Sequence, residues 1–352
     1  MSAPKTPSPP TRGQRFTAWA AAWALRFFAW LPAWVSYGIA DLCVPAVVAF
    51  TLLHERKVAR KGRGLLRNQR IAFRDALTPE RSRRLLWGWA RHMAHLGVDF
   101  ARIRALDGPA VRECVDLRGL DRLRELQRGG QGVLCATGHL GVWELCGHVA
   151  AVNGFTINAV GRPPKNAALA DVLNGHRELG GQRILTKWGV LWPIVKALKR
   201  GELVGIAADE NDRLNPLFVP FLGTLAATNT SPALIQRKTG APIAVVSVHR
   251  TGRGRFSFLV WDVIENPRSR EREPELASIT RRINAALTRA ILTYPEQWLW
   301  GSRRFHTRPA GEALGPDGLP PVATQVPFDD GGYPPGFDAA PGTGRSAVSL
   351  GR

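Results

Sequence analysis

Two histidines, two cysteines and a glutamate fall between Cys135 and His148, in the stretch CATGHLGVWELCGH. Three chemistries compete for it. Cys135, His139, Cys146 and His148 are competent zinc ligands, but the spacing C-x3-H-x6-C-x-H matches no common zinc pattern, and no metal is expected. A cysteine nucleophile fails because Cys135 lies inside the strand-like run GVLCA, where a buried thiol is inert. An acid/base pair of His139 and Glu144 remains. On a continuous helix five residues turn through about 140°, which separates such a pair. Gly138 and Gly141 flank His139, however, so the histidine is expected in the turn after the strand. Glu144 then falls in the first turn of the next helix, where the dipole favours a carboxylate. From there it can bend back to fix the imidazole tautomer and stabilise the imidazolium formed on proton uptake. The residues alone leave open a turn-capping histidine beside an ordinary first-turn acid.

The elements that must position this stretch alternate. GVLCA, FTINAVG, LVGIAA, PIAVVSVH and RFSFLVWDVI read as strands; VWELCGHVAAV, NAALADVLNGHREL, VLWPIVKALKRG and SPALIQRKTG read as helices. Leu276, Ile279, Ile283 and Leu287 mark one face of a last helix. Strands alternating with helices give an α/β fold, a mostly parallel central sheet flanked by helices. Open sheets of this kind carry their sites at the strand-to-helix edge.

The chain of 352 residues divides into four parts. Residues 1–15 are basic and Pro-rich and are expected to be disordered, as is the Pro/Gly-rich tail 309–352. Residues 16–63 form an apolar segment with a basic flank, HERKVARKGR, and 64–308 the main domain. Trp19, Trp23, Trp30 and Trp34 fall within about 60° of one helical face, a stripe suited to a membrane–water interface. Pro32 and Pro45 argue against one straight spanning helix. The segment is expected to be an uncleaved membrane-associated helix or hairpin; a hairpin inside the globule and a cleavable signal peptide are the alternatives. His92 and His95 lie one turn apart on a basic, apolar helix and read as surface or groove residues.

Lys and Arg number 48 against 28 Asp and Glu, a net charge of +20. Such a surface attracts nucleic acid, anionic lipid or acidic proteins. The cations are scattered and no nucleic-acid-binding module appears, so nucleic acid is not expected. No G-x-S-x-G elbow, phosphate loop or dinucleotide fingerprint is present, and no bound cofactor is expected. Four cysteines do not make a disulfide framework in a chain this long.

GHLGVWE resembles the H-x4-[DE] signature of glycerolipid-type acyltransferases. Its setting is similar to the late lipid A acyltransferase family, which includes bacterial inositol-mannoside acyltransferases. GRPPKN with HRELGG, ADEN…VPFLGTLAATNTSPALIQRKTGAPI and PEQWLWGSRRF resemble three further blocks in order. The chain departs from the family pattern at Val142, at Ser302 and in ENDR. The resemblance implies a glycerolipid-acyltransferase-like fold and transfer of a fatty acyl chain from an acyl thioester to a lipid hydroxyl. The thioester is carried on acyl carrier protein or coenzyme A as co-substrate. The acceptor is a lipid A precursor or another glycolipid or aminolipid, at the anionic cytoplasmic face of the inner membrane. In that scheme His139 is the general base and Glu144 orients its ring. Arg177 serves the oxyanion or substrate positioning, and Asp209 holds Arg177 or a backbone turn. Arg162, Asn166, Trp298, Arg303 and Arg304 are the candidate substrate-binding residues.

Overall fold

The computed structural model of the chain describes residues 10–59, 64–161, 164–186, 189–265 and 272–324. Arg162 and the expectations placed on residues 1–9 and 325–352 lie outside the described residues. Four helices come first: α1 (Arg12–Trp30), α2 (Ala33–Ala59), α3 (Leu65–Phe73) and α4 (Pro79–Ala101). The alternating part then runs α5 (Gly108–Cys114), β1 (Val115–Asp116), α6 (Arg118–Gln127), β2 (Val133–Thr137), α7 (Trp143–Val152) and β3 (Ile157–Gly161). It continues with α8 (Ala167–Leu179), β4 (Arg183–Thr186), α9 (Leu191–Lys199) and β5 (Leu203–Ala207). A hairpin of β6 (Leu217–Phe221) and β7 (Thr224–Thr228) precedes α10 (Ser231–Thr239), β8 (Ile243–Gly252), β9 (Arg255–Ile264) and α11 (Arg272–Thr293).

Seven strands form the central sheet in the order β1-β9-β8-β2-β5-β3-β4, and every pairing is parallel except β8 with β9. β2 explains the sandwich. Its alternating side chains send Leu134 and Ala136 into the core shared with α9, α10 and α11, and Val133 and Cys135 into the core shared with α6 and α7. A strand covered on both faces must be apolar throughout, which is why VLCA carries no polar alternation. Each fully buried Val or Leu side chain contributes about 2 kcal/mol through burial.

Two expectations about the ends need correction, and the one about the two prolines holds at Pro32 only. Helix α1 begins at Arg12, inside the stretch expected to be disordered, because Thr11 and Gln14 form a reciprocal capping box. Pro32 separates α1 from α2, but Pro45 sits inside α2 without ending it. At the other end the chain stays packed beyond Pro309. Arg308 pairs with Glu312, Leu319 is buried, Arg74 donates to the Pro320 carbonyl, and Val322 bridges to Thr224.

The β6–β7 hairpin turns through Leu222 and Gly223, both at positive φ (47° and 77°), as a two-residue hairpin requires. What ties it down is Arg304, fully buried. Its guanidinium donates to the carbonyls of Glu210 (3.2 Å) and Ala227 (2.7 Å) and to Thr228 Oγ1 (2.7 Å), and stacks 4.4 Å over the Phe221 ring. Asn284 of α11 donates to Pro220 O and Thr228 Oγ1 from the other side. Burial, opposed by the Asp209 charge, lowers the Arg304 pKa to about 10, so the side chain stays charged at neutral pH. Arg304→Ala leaves buried acceptors unpaired and should lower unfolding free energy by about 3 kcal/mol. A urea melt checks this; an unchanged midpoint would show that the clasp does not hold the hairpin.

Candidate functional site

β2 and β5 pair in parallel with Thr137 opposite Ala207. His139 and Asp209 each stand two residues past that shared level, so adjacent strands deliver them to one point at the sheet edge. The Asp209 carboxylate accepts three donors: the His139 backbone N–H (2.8 Å), His139 Nδ1–H (3.0 Å) and the Trp298 indole N–H (2.9 Å). Because the carboxylate accepts at Nδ1, the neutral ring holds its proton there and leaves the lone pair on Nε2. No hydrogen-bond partner for Nε2 occurs among the described residues, and the histidine side chain is 29% exposed while Asp209 is 1% exposed. Burial alone would raise the Asp209 carboxyl, but the histidine charge and the donors hold it below its ordinary value. The Asp209 charge, against the cost of burial, raises His139 to about 9.

The turn that carries His139 is held on three sides. A Cβ at Gly138 would press on the Asp209 carboxylate at 3.1 Å, and one at Gly141 (φ 63°) would lie 2.1 Å from Val248 O. Only glycine admits both approaches. The segment after α11 pairs with the turn: Gly141 N–H donates to Gln297 O (2.8 Å), Leu299 N–H to His139 O (2.9 Å), and Leu140 bridges to Trp298. From α4, His92 Nε2–H donates to Gly141 O (3.2 Å) while its Nδ1 accepts from Arg250 (2.7 Å). Burial, with the Arg250 charge, holds His92 well below its usual pKa, so the ring is neutral as this pattern needs. His95 binds Asp41 (3.0 Å). Both histidines are buried, not surface or groove residues, because each has a partner inside the fold.

Glu144 takes a different position from the one expected. It stands in the first turn of α7, but its carboxylate receives Arg177 Nε (2.8 Å) and Nη2 (2.7 Å) from α8. Asp209, not Glu144, therefore orients the His139 ring. Arg177 belongs to Glu144 and Asn174 (3.1 Å), so of the two expectations for Asp209 the backbone turn is the one the geometry gives. Trp143 lies between the two pairs. Its ring sits edge-on to His139 with centroids 5.7 Å apart, and its N–H donates to Glu144 Oε1 (3.2 Å). The two polar pairs and the indole form one wall at the sheet edge, spanning the start of α7 and the last turn of α8.

The remaining expected site residues separate. Asn166 caps α8 through Leu169 N–H (3.3 Å) and donates to Gln14 O of α1 (3.0 Å). Trp298 and Arg304 are fully buried and therefore support the site and the hairpin from within; neither can line a headgroup cleft. Arg303 alone of the terminal three is exposed. Cys135 and Cys146 have thiols raised by burial, Cys146 to about 12. The sequence reading missed Trp298 as a donor to Asp209, and His92, Arg250 and Gln297 as supports. The signal for the Asp209 contact was present in two strand ends of like composition, each followed by a polar residue at the second position.

Residues 11–307 match the family described as bacterial lipid A biosynthesis acyltransferase. The lipid A biosynthesis palmitoleoyltransferase of Escherichia coli (strain K12) is 29% identical over 206 residues, 58% of this chain and 65% of that protein. The lipid A biosynthesis lauroyltransferase of the same organism is 27% identical over 203 residues, 57% of this chain and 65% of that protein. The aligned part thus covers slightly less than two thirds of either relative. With the family match extending across most of the chain, from α1 past the segment that closes the histidine turn, the chain belongs to the bacterial lipid A biosynthesis acyltransferase family.

Proposed function

We propose that the protein is a membrane-associated O-acyltransferase that moves a fatty acyl chain from a thioester of acyl carrier protein or coenzyme A to a hydroxyl of a lipid A precursor or related glycolipid. The observation that carries the reading is His139: Nδ1 is committed to a buried carboxylate, which leaves Nε2 as the nitrogen that offers a lone pair when the ring is neutral. In the reaction the acceptor hydroxyl gives its proton to Nε2 as its oxygen attacks the thioester carbonyl. The tetrahedral intermediate collapses with cleavage of the C–S bond, and the imidazolium returns the proton to the departing thiolate. Asp209 stabilises the imidazolium, and the family names and the relatives' acyltransferase activities support the reaction class. The Glu144–Arg177 pair sets the spacing of α7 and α8 beside the ring and positions substrate; the oxyanion role for Arg177 is less favoured, since Glu144 already occupies its charge.

Membrane association at the cytoplasmic face of the inner membrane is part of the same reading. Phe16, Trp19, Trp23, Phe27, Trp30 and Trp34 are all exposed along α1 and into α2, an aromatic row suited to the interface. Helix α2 is long and apolar enough to be a candidate span over Ala33–Val58. The net charge favours acidic lipid and an acidic carrier alike.

Two measurements test the site. In an acyl-transfer assay His139→Ala should lose on the order of 10³-fold in kcat/KM, and Asp209→Asn about 10²-fold or more. Glu144→Gln should lose less than Asp209→Asn; the reverse order would return the orienting role to Glu144. The second measurement is pH dependence. A base must be neutral, and the Asp209 charge keeps His139 protonated up to about pH 9. Log kcat/KM should therefore climb with unit slope from pH 7 and level off near 9. Asp209→Asn should move that midpoint down toward the ordinary histidine value. A wild-type plateau already reached at pH 7 would contradict the assigned contact.

A further inference from the structure

Helix α1 has two unlike faces. Ala18 is buried and Ala21, Ala22, Leu25, Phe28 and Ala29 are half-buried, so small and apolar side chains close against α8 and α4. Both ends of that inner face are pinned to the domain. Asn166, the cap of α8, donates to Gln14 O (3.0 Å), and Arg102, at the end of α4, donates to the carbonyls of Phe28 (3.4 Å) and Leu31 (2.5 Å). Phe16, Trp19, Trp23, Phe27 and Trp30 are exposed on the opposite side, within about 80° of one another at about 100° per residue. The first three rings touch in sequence: Phe16 stacks on Trp19 at 5.8 Å, and Trp19 meets Trp23 edge-on at 6.0 Å. Arg12, Arg15 and Arg26 are exposed along the Trp19 edge of this row. Helix α1 holds no acidic residue, and no ion-pair or hydrogen-bond partner for these three guanidinium groups occurs among the described residues. Helix α2 follows with an apolar exposed face of its own, Leu42, Phe50 and Leu53, which offers no headgroup chemistry.

A helix so pinned cannot stand upright in a bilayer. Crossing takes about 20 residues, nearly the whole of α1. It would draw α8, with the exposed carboxylates of Asp171 and Glu178, into the lipid tails, where charge is heavily penalised. Laid flat, the same surfaces agree. The aromatic row enters the acyl boundary at one depth, and each indole keeps its N–H at the level of the headgroups. The arginines on one edge of the row then reach lipid phosphates. Charge also selects what covers the row: a second copy of a chain with net charge +20 would be repelled, whereas an anionic leaflet attracts it.

We propose that α1 lies flat in the interface of an anionic bilayer, with Phe16, Trp19, Trp23, Phe27 and Trp30 in the acyl boundary and Arg12, Arg15 and Arg26 on the lipid phosphates. This deepens the membrane-association reading above and rests on it. It names the helix that makes the contact, the lipid charge it selects and its orientation.

The test uses the full chain and two vesicle types, pure phosphatidylcholine and a 3:1 mixture of phosphatidylethanolamine with phosphatidylglycerol. Wild type should sediment with both and more strongly with the anionic mixture. Arg12→Gln/Arg15→Gln/Arg26→Gln should lose affinity for the anionic vesicles by about fivefold per arginine and leave neutral-vesicle binding unchanged. Arg15→Gln alone should lose about fivefold, which covers the case in which the triple variant does not fold. Trp19→Ser/Trp23→Ser should weaken binding to both vesicle types by on the order of tenfold per indole. Equal anionic binding by wild type and a folded arginine variant overturns the phosphate contact. A wild-type dimer in sedimentation velocity that the tryptophan variant loses, with vesicle binding unchanged, overturns the proposal in favour of a second copy on the row. Depth is then read with a fluorophore on Phe16→Cys, Ala20→Cys or Phe27→Cys, each in a Cys43→Ser/Cys114→Ser background, against doxyl-lipid quenchers. The three positions share one face, so an in-plane helix holds them within a few ångströms of one depth, whereas an upright helix spreads them over roughly 16 Å. A spread of that size overturns the in-plane orientation and leaves membrane association standing; a wild type that binds neither vesicle overturns both.

Discussion

The architecture converges on one buried carboxylate. Asp209 is almost wholly removed from water, and an anion in that setting is held only by the donors aimed at it. Three aim at it, from two places far apart in the chain: the His139 turn and the indole of Trp298. The parallel pairing of β2 with β5 sets the level at which the histidine and aspartate meet, and the two glycines let the backbone close around them. Loss of any of these would expose the charge to imperfect solvation. The constraint therefore fixes the turn, the tautomer and the segment 297–299 together.

Much of this was legible in the sequence. The apolar runs at residues 132–136, 203–208, 242–249 and 255–264 became β2, β5, β8 and β9 because a strand buried on both faces admits little else. His139 in a post-strand turn followed from its flanking glycines. The partner of His139 was not legible. Glu144 is the nearest carboxylate in sequence, whereas Asp209 is nearest in space, and that distinction depends on strand order. Nothing local says that β5 lies between β2 and β3. Buried Arg304 was misread for a related reason: an arginine in an aromatic, basic run reads as surface unless the carbonyls that solvate it can be seen.

The polar residues behind the site form a second layer that composition conceals. Tyr37, Asp99, Arg250 and His92 make a continuous chain of contacts from α2 through α4 to β8, ending on the Gly141 carbonyl. Gln297 is bonded at both its amide oxygen and nitrogen to the backbone of Arg250, which ties the same chain to the closing segment. One chain of contacts thus joins the helix that carries the exposed apolar face to the turn that carries the imidazole.

The closing segment also has a consequence for biosynthesis. The histidine leaves the ribosome before residue 140, its aspartate some seventy residues later, and the indole and backbone that complete the cradle only near residue 300. Between residues 139 and 209 the chain holds the imidazole without the carboxylate that raises its basicity, and until about residue 300 without the complete cradle. The cradle is therefore completed only after every strand of the sheet is available to fold.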